Sequence, residues 1–187
     1  MKAFSSSADG QNPFQGLTVF GKSLVGVTRN GGQHGSGTLF RIGLNGTGFT
    51  VRHHFTGDGG GAHPYSAPAL AGDSLYGIAH GTEIWGGVGY ECGTLYRLDP
   101  DGTKFEVLHT FDSMKSGDTP MRSLVLLDDA LYGTTAFGGI GGGKGNGTVW
   151  KFARPAPSRW LFVAGGCAAF RVVGSMGRWL WSYSTSR

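Results

Sequence analysis

Ala69-Leu70-Ala71-Gly72-Asp73-Ser74-Leu75-Tyr76-Gly77-Ile78-Ala79 is the stretch whose reading decides how this chain folds. Two short apolar runs flank Gly72-Asp73, a pair that tolerates the positive φ of a tight turn, so the stretch reads as a β-hairpin. Further along, Gly93-Thr94-Leu95-Tyr96-Arg97 and the run from Lys104 to Phe111 are joined by Asp99-Pro100-Asp101-Gly102, where Pro100 presets φ for a second hairpin. Four strands are expected, at roughly 67–71, 74–80, 93–98 and 104–111. No apolar period of 3.6 residues is sustained here, so helix is not expected.

The same pattern returns on either side. Leu24-Val25-Gly26-Val27-Thr28, Leu75-Tyr76-Gly77-Ile78-Ala79 and Leu131-Tyr132-Gly133-Thr134-Thr135 are copies at offsets of 51 and 56. Gly37-Thr38-Leu39-Phe40-Arg41, Gly93-Thr94-Leu95-Tyr96-Arg97 and Gly147-Thr148-Val149-Trp150-Lys151 are copies in the same order. His53-His54-Phe55 matches His109-Thr110-Phe111, and Phe4 stands where an earlier copy of that phenylalanine would. A proline (Pro13, Pro64, Pro120) precedes each new strand. Glycine inside a strand weakens it, so the recurrence of Gly26, Gly77 and Gly133 at one phase implies close backbone approach, as in narrow inner strands around a channel.

Four antiparallel strands in about 50 residues is the size of a propeller blade. The expected fold is all-β and β-propeller-like, about three four-stranded blades over residues 1–153, with repeats at roughly 1–55, 56–111 and 112–153. Because propellers typically close with 4 to 8 blades, three units imply a truncated ring, an open arc, or self-assembly of two copies to complete a ring. Residues 154–187 carry no repeat feature and form an atypical basic, apolar tail. Two readings of it stay open: a native tail that docks on the blades or on a membrane surface, or the product of a reading-frame slip.

Charge excludes one class of partner. The formal net charge is +4, but residues 1–153 hold 11 Lys and Arg against all 12 Asp and Glu, while the tail holds five Arg and no acid. No nucleic-acid partner is expected from so localised a charge. Cys92 and Cys167 allow one disulfide at most. No secretory signal is read at the start of this chain, and the apolar run from Trp160 to Phe170 is short of the roughly 20 residues that span a bilayer, so no transmembrane helix is expected.

The longest connections, Arg29 to Ser36, His80 to Cys92 and Ala136 to Asn146, all follow the Leu-x-Gly strands and would emerge on one face. His34, Trp85, Tyr90 and Phe137 are the ligand-binding candidates, since aromatic side chains in glycine-rich loops stack on sugar rings or grip a peptide; the bland alternative is that they tuck over the blade ends. Gly138 to Gly145 approaches a phosphate-binding loop but has Gly145 where a hydroxyl is required and no helix after it. Six histidines do not make a metal site: His53 and His54, being adjacent, point to opposite faces of a strand. Asp99-Pro100-Asp101-Gly102 lacks the ligand series of a calcium loop and reads as a turn. No cofactor, metal or catalytic residue is expected. A propeller hydrolase or lyase would need ionisable groups on channel-facing strands, and the Leu-x-Gly strands offer almost none.

Taken together, the Gly-Thr-[Leu/Val]-aromatic-basic strand, the Asp-Gly hairpin, the His-x-Phe ending, the proline loop and the Leu-Tyr-Gly strand resemble the GloVer tandem-repeat family over residues 1 to about 153. The resemblance implies a bacterial protein with kelch-like propeller repeats and a choice of C-terminal surface anchors. It therefore implies an extracytoplasmic or cell-surface location, and it brings no catalytic residues. The expected function is non-enzymatic binding of carbohydrate or protein through the loops of one face. A structural repeat fragment without activity of its own is the remaining alternative.

Overall fold

The computed structural model describes residues 2–4, 8–59, 61–81, 93–112, 116–121, 123–139 and 146–154, and the backbone of 160–161 and 170–171. All regular structure among them is β. The first sheet runs β1 (Thr18–Phe20), β2 (Ser23–Thr28), β3 (Thr38–Gly43) and β4 (Thr50–His54), each antiparallel to the next. In the second, β5 (Ala62–Pro64) and β6 (Ala69–Ala71) both pair with β7 (Ser74–His80), followed by β8 (Thr94–Leu98) and β9 (Glu106–Thr110). The third places β10 (Asp118–Pro120) and β11 (Val125–Leu127) on β12 (Ala130–Phe137), then β13 (Thr148–Ala153). No sheet closes into a barrel, and the three form an open, propeller-like arrangement. In the tail, β14 (Trp160–Leu161) pairs with β15 (Phe170–Arg171).

The sheets pack face to face, and the core lies between them. Val25, Val27 and Leu39 of the first sheet meet Leu75, Ala79, Tyr96 and Leu98 of the second, with Phe55 buried among them. Tyr76, Ile78 and Leu95 on the opposite face of the second sheet meet Leu131, Trp150 and Phe152 of the third, with Phe111. Each large apolar side chain buried this way contributes about 1.5–3 kcal/mol. The His-x-Phe phenylalanine is the recurring key. Phe4 meets Phe40 at 5.1 Å and 64°, Phe55 meets Tyr96 at 5.2 Å and 63°, and Phe111 meets Trp150 at 5.4 Å and 60°, all edge to face.

Two expectations about the Leu-x-Gly strands change. First, Gly26, Gly77 and Gly133 sit directly across from Phe40, Tyr96 and Trp150. A Cβ on any of them would lie closer than 3.0 Å to the facing aromatic ring or its hydroxyl, so the glycine makes room for a cross-strand side chain and not for neighbouring backbone. Second, β1, β6 and β11 are the strands that line up from sheet to sheet, since β6 touches both β1 and β11 and Thr18 Oγ1 donates to the Pro68 carbonyl. The Leu-x-Gly strands β2, β7 and β12 each lie one strand in from that row, paired with β1, β6 and β11, and are not the innermost strands expected from sequence.

Candidate functional site

Alternating strand directions give each sheet two unlike ends. At one end the connections are tight: Thr47 N–H and hydroxyl both donate to Asn45 Oδ1 (3.1 and 2.8 Å), and Thr103 repeats this on Asp101 (2.9 and 2.6 Å). These are side-chain-stabilised turns, which accounts for Asp99-Pro100-Asp101-Gly102 without calcium. The other end carries the long connections after β2, β7 and β12, and the segments that lead from one sheet into the next.

That second end also stores backbone strain at a repeated position. Asn12, His63 and Thr119 have φ of 58°, 52° and 55°, in the left-handed region. Each stands immediately before Pro13, Pro64 or Pro120. A residue before proline is ordinarily extended, and non-glycine residues at positive φ cost of order 1–3 kcal/mol each. At His63 the left-handed conformation lets the backbone N–H donate to Ser36 O (2.8 Å) and brings Nδ1 to 3.0 Å from Arg29 O, tying the second sheet to the first.

Around this junction four half-buried polar or aromatic side chains gather. The Arg29 guanidinium lies over the Tyr65 ring at 5.8 Å, and Tyr65 lies 4.9 Å from His80 at a 49° tilt, with His63, in β5, two residues before Tyr65. The four come from three elements: the end of β2, the β5 region and the end of β7. Cation, phenol and imidazole side by side suit a ligand with a flat or ring-shaped apolar face and acceptor oxygens.

Strand register shows why these residues differ from the framework around them. Thr28, Ala79 and Thr135 are equivalent, which makes Arg29, His80 and Ala136 equivalent as well; Asn12, His63 and Thr119 form a second set, and Phe14, Tyr65 and Met121 a third. Glycine, proline and aromatic framework positions repeat in all three units while these three sets vary. The fold itself does not dictate their chemistry.

Of the residues singled out from sequence, Trp85 and Tyr90 lie outside the described residues, as do 140–145 of the glycine-rich loop, Cys92 and Cys167. His34 is exposed and stands over the end of β4, where its charge lowers the pKa of His54, an effect second to burial. Gln33 N–H donates to His54 Nδ1 there (3.2 Å). Phe137 is 56 % exposed and pairs across to Asp118 on the first strand of its own sheet. His34 and Phe137 therefore share the loop-bearing end of their sheets but occupy its outer and inner parts. Arg29 and Tyr65 went unselected by sequence reasoning; the usable signal was that they vary between copies where their neighbours repeat.

The histidines divide as adjacent strand positions should. His53 turns into the junction of the first two sheets, stacked on Phe105 (4.4 Å, 9°), and burial, with a smaller contribution from the charge of His54, lowers its pKa to about 4. Among the described residues no three His, Cys, Asp or Glu side chains gather as a metal site requires. No helix among them is long and apolar enough to cross a membrane.

No curated protein sequence matches the chain. The Gloeobacter/Verrucomicrobia repeat family matches residues 1–163, beyond the boundary near 153 read from the repeats. With that match spanning most of its length, and with three sheets repeating one set of glycine, proline and aromatic positions, the chain belongs to the Gloeobacter/Verrucomicrobia (GloVer) repeat family.

Proposed function

We propose that this protein is a non-enzymatic, extracytoplasmic binding module that holds a carbohydrate or a peptide on the loop-bearing end of its sheets, centred on Arg29, His63, Tyr65 and His80. The observation that carries the reading is the coincidence, at one end, of the long connections, the left-handed residues before proline and the positions that vary between repeats. Strain of that kind is retained where surrounding structure holds it and a site uses it. A sugar ring would stack on Tyr65 while Arg29 and the histidines donate to its oxygens; a peptide would use the same donors on its carbonyls. The location rests only on what the resemblance to GloVer repeats implies.

The test is titration of a glycan and peptide panel by calorimetry, comparing the native chain with Arg29→Ala and Tyr65→Ala and with Arg41→Ala as a control away from the cluster. Loss of roughly tenfold or more in affinity for the first two variants alone is the expected result. A ligand bound equally well by all four proteins, or no ligand in the panel, overturns it.

A further inference from the structure

In two places an asparagine stands two residues before a threonine with glycine between, Asn45-Gly46-Thr47 and Asn146-Gly147-Thr148. That tripeptide is an acceptor of N-linked sugars when it lies on an accessible surface loop. Identical in sequence, the two copies sit in opposite surroundings. Asn45 to Gly48 are all exposed at the tight end of the first sheet, and among the described residues a Cβ on Gly46 or Gly48 would meet nothing within 4 Å. Gly147 has φ of +89°, and a Cβ there would collide with the Thr135 carbonyl. Thr148, half-buried in β13, has its hydroxyl committed to Thr135 Oγ1 (2.9 Å) and Ser116 O (3.0 Å).

At Asn45 the turn uses only half of the carboxamide. Thr47 N–H can only donate, so the oxygen faces it, and the Thr47 hydroxyl joins on the same Oδ1. Nδ2 is left without a partner among the described residues. The second sheet shows that this nitrogen is surplus to the fold. Asp101 takes the same two bonds from Thr103 on a carboxylate oxygen, with no nitrogen in the side chain at all. Asparagine at 45 therefore supplies an exposed amide that the turn does not need.

We infer that Asn45 is an acceptor site for N-linked glycosylation and that Asn146, in the folded chain, is not. The donor is a sugar whose anomeric carbon is activated as a diphosphate ester. Nδ2 forms a bond to that carbon as the bond from the carbon to the diphosphate oxygen breaks. The diphosphate leaves with the electron pair, and the Nδ2 proton passes to a base of the transferase. In the product Oδ1 keeps both bonds from Thr47, so the sugar is added without unmaking the turn. It stands at the end of the sheets opposite Arg29 and Tyr65 and leaves that cluster uncovered.

The folded chain, treated with UDP-glucose and a soluble N-glycosyltransferase that reads Asn-x-Ser/Thr, should gain one hexose, placed on Asn45 by peptide mass mapping. Free peptides of residues 41–52 and 141–152 should both accept the sugar, because only the fold withholds Asn146. Thr47→Ala should abolish transfer to the folded chain without changing circular dichroism, since the side chain is exposed. Asp101→Asn, which completes the same tripeptide with Thr103 in the same kind of turn, should create a second acceptor. A folded chain left bare at Asn45 while the peptide of residues 41–52 is modified, or one modified equally at Asn146, overturns the inference.

Discussion

The first and third sheets close their loop-bearing ends with a pair of threonine hydroxyls, and the second does not. Thr28 and Thr38 lie 2.8 Å apart through their hydroxyls, and Thr135 and Thr148 lie 2.9 Å apart. Each pair extends to the incoming segment, Thr38 Oγ1 donating to Asp9 O (3.3 Å) and Thr148 Oγ1 to Ser116 O (3.0 Å). In the second sheet Ala79 stands where the first hydroxyl would, and among the described residues Thr94 Oγ1 is buried without a hydrogen-bond partner. A buried hydroxyl left unpaired costs about 1–3 kcal/mol. The same backbone thus tolerates the latch or its absence. The middle sheet has a neighbour on both sides to compensate, with Leu75, Ile78, Leu95 and Leu98 all fully or almost fully buried.

That contrast can be broken most severely at the glycine covering the latch. Gly117 has φ of +97° and a Cβ there would collide with Thr135 and Thr148. Gly117→Val should lower stability by about 3 kcal/mol, combining backbone strain with overpacking, measured by urea unfolding of the whole chain. Removing the latch itself is milder: Thr135→Val takes the hydroxyl that accepts from Thr148 N–H (2.9 Å) and should cost about 1–2 kcal/mol in the same measurement. If the middle sheet shows what the outer ones do without, the variant still folds.

Acid probes the junction between the first two sheets. The folded chain holds His53 neutral down to about pH 4, whereas the unfolded chain takes up that proton near the ordinary value of 6.5. Unfolding therefore binds a proton across that window, and stability falls as pH drops from 6.5 toward 4. His53→Phe, which can keep the stack on Phe105, should flatten that limb of the stability–pH curve relative to the native chain. The smallest expected effect sharpens the comparison from the other side. Ala79→Thr installs the missing partner for Thr94 and should raise stability by about 0.5–1 kcal/mol, visible as a rise in melting temperature.

Much of the architecture was legible along the chain because local rules decide it. The Gly72-Asp73 and Asp101-Gly102 turns, the short apolar strands and the thrice-repeated aromatic position are short-range features, and Phe4 could be matched to Phe55 and Phe111 from spacing alone. The reason for the glycines was not legible. Gly77 and Tyr96 are brought together by pairing register, and backbone proximity and side-chain coverage leave the same mark on a sequence. The candidate site was hidden for a similar reason. Arg29 and Tyr65 belong to different sheets, and a left-handed residue before a proline carries no marker when it is asparagine, histidine or threonine.

By itself the sequence determined the number of repeat units, their all-β character and the turns at one end, because each depends on residues within one hairpin's reach. Only the tertiary structure decided which strands meet from sheet to sheet, what covers the recurring glycines and which side chains share the junction between sheets. Those relations depend on how one face packs on the next, and side-chain volume across a junction is not encoded by neighbours in the chain.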